Sequence, residues 1–287
     1  MAAEADKAED RADLPPLILA VAPNGARKTK ADHPALPMGA AEIGHTAASC
    51  KEAGASLIHL HVRNAEGTHS LDVDLYRDAI AAVRREASDR LIVQVTSEAV
   101  GIYAPEQQRA MVRDLRPEAV SLAIRELVPD AAAEPEFARF AAWMKAERIA
   151  PQYILYDADD VRRYADLRRR GLIADDPPFV LYVLGRYSKG QRSQPADLLP
   201  FLTAAREAAL DVQWSVCAFG PKEAACALTA AALGGHSRIG FENNLYLANG
   251  EVAPDNAALI SQVAEQAGMA GRVLADPDAA RTVLGME

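Results

Sequence analysis

The chain has 287 residues, half of them hydrophobic, enough to fill the core of one large domain or two smaller ones. A formal net charge of -9 argues against a nucleic-acid surface, and no run of about 18 apolar residues offers a membrane span. Cys50, Cys217 and Cys226 show no C-x-x-C spacing and leave one thiol over in any single-bridge scheme, which predicts a reduced, cytoplasmic protein.

Residues 1–13 are Ala-rich and charged without an apolar h-region, and read as a flexible arm rather than a secretory signal. An apolar strand over 17–22 is broken by Pro23-Asn24-Gly25, and a basic loop, Arg27-Lys28-Thr29-Lys30, leads to a helix over 40–53. That helix carries Ile43, Ala47 and Cys50 at helical spacing and stops at Gly54. A second strand over 57–62 is followed by a turn and a helix over 72–86. The same unit then recurs: strand 91–96 with helix 105–115, 119–124 with 135–147, 152–156 with 161–170, and 179–184 with 195–208. Strand 212–217 precedes a helix opened by Pro221 and closed by Gly234-Gly235, and strand 237–241 precedes a helix over 255–266. A short helical tail starts at Asp276-Pro277, an N-cap with proline at N1.

Eight strand-helix units in about 250 residues predict one α/β domain over 14–287, a (β/α)8 TIM barrel. An open doubly wound sheet uses the same alternation, but no G-x-G-x-x-G follows the first strand. In a barrel the functional residues sit at the C-terminal ends of the strands. Polar residues within strands then mark the inward face: Gln94, Thr96 and Glu98 on one, Gln213, Ser215 and Cys217 on another.

On the second strand Leu57, His59, His61 and Arg63 share a face, placing two imidazoles roughly 7 Å apart along it. Both can reach one ion; a pair of hydrogen-bonded interior histidines has the same spacing. A reactive zinc site typically has three protein ligands and an open position. On the last strand Arg238, Gly240 and Glu242 share a face, and barrel closure brings Glu242 toward His59 and His61. Glu242 paired simply with Arg238 fits the spacing equally. Arg238 offers a fork for a carboxylate or a structural salt bridge. After His69 the sequence has one further histidine, His236, so a dinuclear site lacks ligands. By strand-end position Asn24, Lys30 and Ser121 line the pocket. The loop Gly185 to Arg192 is basic, suited to CoA phosphates, to solvent or to a subunit contact.

Three motifs in order, A-P-N-G-A-R-K-T-K-A-D-H-P-A-L-P, H-L-H-V-R and R-I-G-F-E-N-N-L-Y, resemble the β-keto acid cleavage enzymes, a likeness running from about Leu17 to Gly268. The resemblance implies a zinc-dependent (β/α)8 barrel with one Zn2+ per chain. Its reaction would condense a β-keto acid with acetyl-CoA to give acetoacetate and an acyl-CoA. Carried over by position, His59, His61 and Glu242 hold the metal and Arg238 stabilises negative charge. Thr96 and Ser97 offer hydroxyls to the substrate. The chain departs from the family at Gly25-Ala26-Arg27, where an acid for a substrate amine is usual, which predicts a substrate without a cationic tail and with room for a distal carboxylate. It departs again at Asn243, where an Asp often follows the metal Glu, so that Glu98 or Asp157 must serve as base unless each is a cap or an ion-pair partner. The third departure is Gln152-Tyr153-Ile154, where acidic residues are usual. Two other readings stay open: a CoA-independent zinc aldolase or lyase acting on a keto acid, and a non-catalytic metal-binding barrel that binds one. A small-molecule enzyme of this type is expected to assemble as a homo-oligomer and to use neither nucleic acid nor membrane.

Overall fold

The computed structural model describes residues 14–88 and 90–286; the expected N-terminal arm lies outside them. Eight parallel strands close into a barrel: β1 (Leu19–Val21), β2 (Leu57–Leu60), β3 (Ile92–Thr96), β4 (Ala119–Ala123), β5 (Ala150–Leu155), β6 (Phe179–Leu184), β7 (Gln213–Ala218) and β8 (His236–Ile239). Each strand pairs with its sequence neighbours, and β8 closes on β1 through Leu19 opposite Ser237 and Val21 opposite Ile239. The (β/α)8 expectation is therefore correct. Helices cover the outside: α1 (Ala40–Glu52), α2 (Val73–Ala87), α3 (Pro105–Leu115), α4 (Glu134–Ala146), α5 (Ala158–Arg169), α6 (Leu199–Glu207), α7 (Glu223–Ala232) and α8 (Asn256–Ala264), with a tail helix α9 (Pro277–Leu284). Among the described residues no helix is long and apolar enough to cross a membrane.

Local chemistry sets most boundaries. The Asp72 carboxylate caps α2 by accepting from the amides of Asp74 and Leu75, and Asp276 caps α9 through Asp278 and Ala279. The strand expected to continue to Val62 stops at Leu60. Beyond it, Val62–Arg63 pairs antiparallel with His69–Ser70 in a small ribbon. The carbonyl of His61 leaves the barrel ladder to accept from the Asn24 side chain at 3.0 Å.

The lumen is layered. At the N-terminal end an apolar cluster contains Ile18, Ala20, Leu57, Ile92, Ala119 and Phe179, with Ala280 and Leu284 of α9 against it. Above it lies a polar layer in which Gln94 donates to Gln152 at 3.2 Å and Gln152 donates to Ser215 at 2.9 Å. These three come from alternate strands, β3, β5 and β7, as barrel layers do. Toward the base the inward face is largely apolar, with His236 as a buried polar exception, and a cavity lined by Leu57, Ala119, Phe179 and Leu284 reaches up to Gln94.

Candidate metal and active site

Pairing of β2 with β3 sets His59 opposite Gln94. His59 Nδ1 lies 2.8 Å from Gln94 Oε1. The Gln94 amide nitrogen is committed to Gln152, so its oxygen faces His59 and the imidazole proton resides on Nδ1. That leaves Nε2 as a bare lone pair pointing up the lumen. Burial first, then the Arg238 guanidinium, holds the His59 pKa well below its ordinary value, so the ring is a neutral ligand.

Three atoms converge there. His59 Nε2 is 3.2 Å from His61 Nε2 and 3.6 Å from Glu242 Oε2, and His61 Nε2 is 3.4 Å from the same oxygen. Ligand atoms about 2.05 Å from a tetrahedrally held zinc stand roughly 3.3 Å apart. Among the described residues this is the one group of three His, Cys, Asp or Glu side chains close enough to share an ion. Glu242 Oε2 is buried and makes no hydrogen bond, an expensive state for a carboxylate oxygen unless a cation sits beside it. Two nitrogens and one carboxylate oxygen form a donor set that fits zinc with a position left open.

Glu242 also pairs with Arg238, so the two readings of that carboxylate combine: Oε1 accepts from Arg238 Nη2 at 3.1 Å while Oε2 faces the histidines. Burial works against its charge, yet Arg238 and the two imidazoles hold its pKa well below the carboxylate range. Two glycines let it sit there. Gly25 has φ +61°, and a Cβ on it would stand 2.6 Å from Glu242 Cγ. Gly240 has φ +145°, and a Cβ there would meet the Ala22 carbonyl at 2.4 Å, so this glycine lets the chain after β8 approach the end of β1 closely.

Arg238 is buried, with Nε and Nη1 unpaired. It lines a cavity with His59, His61, Thr96, Glu98, Ile154, Tyr156, Val183, Arg186, Phe219 and Glu242. Glu98 sits at its edge, Oε1 bonded to Arg27 Nη1 at 3.1 Å and Oε2 3.9 Å from His61 Nδ1. His69 holds this corner by donating from Nε2 to the Glu98 carbonyl at 2.9 Å. Burial and the neighbouring His61 push the His69 pKa down to about 3.

The other expected residues divide. Thr96 lines the cavity and accepts from the Glu98 amide at 3.0 Å. Asn24 and Arg27 line an adjoining cavity that shares Glu98, Arg186, Phe219 and Glu242. Asn24 is also a clamp, its Nδ2 donating to the Pro37 and His61 carbonyls. The Ser97 hydroxyl is spent on the Ser121 carbonyl at 2.9 Å, while Ser121 Oγ is buried without a partner. Asn243 turns its amide to Arg238 O at 3.2 Å and Glu223 Oε1 at 3.4 Å and lines neither cavity. Asp157 is the N-cap of α5 and an ion-pair partner of Arg125. Lys30 reaches Glu42 at 2.7 Å and the Leu36 carbonyl, outside both cavities.

Sequence reasoning gave no site role to Lys28 or Arg63, read Arg186 only as part of a basic loop, and passed over Glu223. Lys28 Nζ donates to the Glu242 carbonyl at 2.6 Å, and Arg63 ties down the carbonyls of Gly25 and Lys28. Glu223 accepts from the Gly240 amide and from Asn243 and Asn244; burial raises its pKa to about 8. A charged side chain in an otherwise apolar helix pattern is the signal that would have found Glu223.

Barrel and site together define a (β/α)8 protein with a candidate mononuclear metal centre at the C-terminal mouth, flanked by a buried arginine. The chain belongs to the β-keto acid cleavage enzyme family, whose model matches residues 16–286. It is 31% identical over 278 residues to a 3-keto-5-aminohexanoate cleavage enzyme of Fusobacterium nucleatum, covering 94% of this chain and 98% of that one. It is 32% identical to a 3-oxoadipate:acetyl-CoA acetyltransferase of Cupriavidus necator, covering 94% and 95%. Among solved structures, ObcA in a ternary complex with a C4-CoA adduct and oxalate superposes with a TM-score of 0.70 at 17% identity, over 88% of this chain and 68% of that one, a likeness of fold.

Proposed function

We propose that this protein is a zinc-dependent enzyme that condenses a β-keto acid lacking a cationic tail with acetyl-CoA, giving acetoacetate and a shortened acyl-CoA. The observation that carries the reading is the His59, His61 and Glu242 triangle with an unsatisfied carboxylate oxygen, beside an arginine with free donors. Relatives named for 3-oxoadipate:acetyl-CoA acetyl transfer and for keto acid cleavage support the reaction class. When bound, zinc supplies Lewis acidity toward a keto oxygen.

The protein's own groups do the rest. Arg238 directs Nε and Nη1 at the substrate carboxylate and at negative charge developing on oxygen. Of the two bases considered, Asp157 is a cap outside the cavity, whereas Glu98, although paired with Arg27, lines it and is the carboxylate outside the triangle that accepts the proton from the carbon between ketone and carboxylate in this reading. The carbanion attacks the acetyl thioester and expels CoA thiolate. That thiolate attacks the original keto carbon, the carbon-carbon bond breaks to release the acyl-CoA, and the acetoacetate carbanion left behind takes the proton back from Glu98. Thr96 holds the Glu98 backbone. Asn24, Arg27, Ser97 and Ser121 complete the substrate side in this reading, Asn24 by fixing the His61 carbonyl and Ser97 by fixing Ser121. Asn243 acts from behind, on the Arg238 carbonyl. A single domain over 14–287, a reduced cytoplasmic setting and a homo-oligomer belong to the same reading, supported by three free, buried cysteines and the general symmetry of soluble enzymes.

The test is metal content by mass spectrometry, together with acetoacetate formation from acetyl-CoA and a β-keto acid. We expect one zinc per chain, lost in His59→Ala and Glu242→Ala along with at least 100-fold of activity. Turnover without acetyl-CoA would point to a lyase, and binding without turnover to a non-catalytic barrel.

A further inference from the structure

Arg186 follows β6 on the basic loop, and its side chain is only 16% exposed. Its guanidinium makes no hydrogen bond to any described residue. It rests over the Phe219 ring, 5.3 Å from the centroid, and its nearest anion, Glu98 Oε1, is 3.9 Å away. It lines both the cavity that holds the metal triangle and the adjoining one that holds Arg27. A guanidinium lining two cavities with no acceptor in bonding reach is a recognition element lacking its partner.

The charge of the two cavities points the same way. Arg27, Lys28, Arg186 and Arg238 face Glu98 and Glu242, four cations against two carboxylates, in a chain whose net charge is -9. Adding a divalent ion widens the excess. The carboxylate next to the keto group is matched by Arg238, and this leaves the Arg27 and Arg186 end without a counter-charge. Glu98 fills one edge of Arg27 through a single hydrogen bond and reaches Arg186 only at long range.

We infer that Arg186, with Arg27, forms a subsite for a second carboxylate on the tail of the substrate, so that the preferred substrate is a β-keto dicarboxylic acid. This rests on the reading of the site under Proposed function and names its substrate class. Arg186 is then a specificity residue: the tail carboxylate takes the guanidinium edges that Glu98 leaves open, and Phe219 holds the guanidinium plane in place. CoA phosphates are the other anions that such a loop attracts, and the test separates the two.

The matched probes are 3-oxoadipate and 3-oxohexanoate, which share a six-carbon skeleton and differ in the second carboxylate. Calorimetric titration of the zinc-loaded protein without acetyl-CoA gives the ratio of their dissociation constants. We expect tighter binding of 3-oxoadipate and a fall of that preference by roughly 10- to 100-fold in Arg186→Gln, partly restored in Arg186→Lys. An unchanged preference in Arg186→Gln, or a rise confined to the KM for acetyl-CoA, would overturn the subsite. Loss of the preference in a protein that forms no acetoacetate with either acid would leave the subsite standing and remove the acetyl-CoA reaction. Normal turnover with no preference for the dicarboxylate would do the reverse.

Discussion

Two buried side chains show how much a single partner decides at the residue scale. Gln94 gives His59 its tautomer, and Gln94→Leu is expected to lower zinc affinity about 10- to 100-fold with the fold intact, read by competition with a chromogenic chelator. An affinity unchanged in that variant would show that the ring is oriented without Gln94. His236 sits at the base of β8, its Nδ1 accepting from the Ile18 amide at 3.1 Å, and burial pushes its pKa down to about 3. Because the folded pKa lies below the unfolded value of about 6.5, the unfolded chain binds the extra proton first, and stability drains away as pH falls from 6.5 toward 3. Between pH 7 and 4.5 the loss is roughly 2 to 3 kcal/mol. His236→Gln keeps an acceptor for Ile18 and does not titrate, so urea melts of that variant should show a pH dependence smaller by about that amount. At this scale the sequence spoke through residue type: His59, His61, Glu242 and Arg238 were legible because charged or imidazole side chains on inward strand positions need partners. Arg186 was not, because a basic loop residue looks the same whether it faces solvent or a cavity.

Strand ends and the loops after them, more than the strands, build the site. β2 ends at Leu60, and the next carbonyl, that of His61, accepts from Asn24 instead of continuing the ladder, while His61 Nε2 meets that of His59. The loop after β1 packs its backbone directly on Glu242 at Gly25, with Lys28 holding the Glu242 carbonyl and Arg63 fixing the loop carbonyls of Gly25 and Lys28. Gly25→Ala places a Cβ at left-handed φ, at a cost of roughly 1 to 2 kcal/mol, and drives Glu242 from the triangle. Zinc affinity is expected to fall more than tenfold while far-ultraviolet dichroism stays native; retained affinity would mean that the carboxylate has another route to the ion. The elements were readable from period and punctuation, as at β6 and α3, whose bounds match the sequence reading. The departure of the His61 carbonyl from the ladder was not, since its partner Asn24 lies 37 residues upstream.

For the whole molecule, closure of the barrel is what assembles the candidate metal site, since β8 reaches β2 only across β1. A bound ion therefore cross-links the first and last quarters of the chain. Zinc at 100 times its dissociation constant should stabilise the folded state by about 2.7 kcal/mol, raising Tm by roughly 5 °C, with no such shift in Glu242→Ala. Equal shifts in both would place the ion elsewhere. The amino-acid sequence by itself determined the eightfold alternation and the parallel barrel, because period-2 and period-3.6 patterns, N-caps and glycine stops act locally, and the family resemblance marked the three candidate ligands. Only the tertiary structure decided which hydroxyls face the cavity, that Asn243 turns toward Glu223, that Asp157 is a cap, and that Arg186 joins Arg27 across the mouth. Those outcomes depend on hydrogen-bond partners brought together by closure, and no local pattern encodes a partner that lies on another strand.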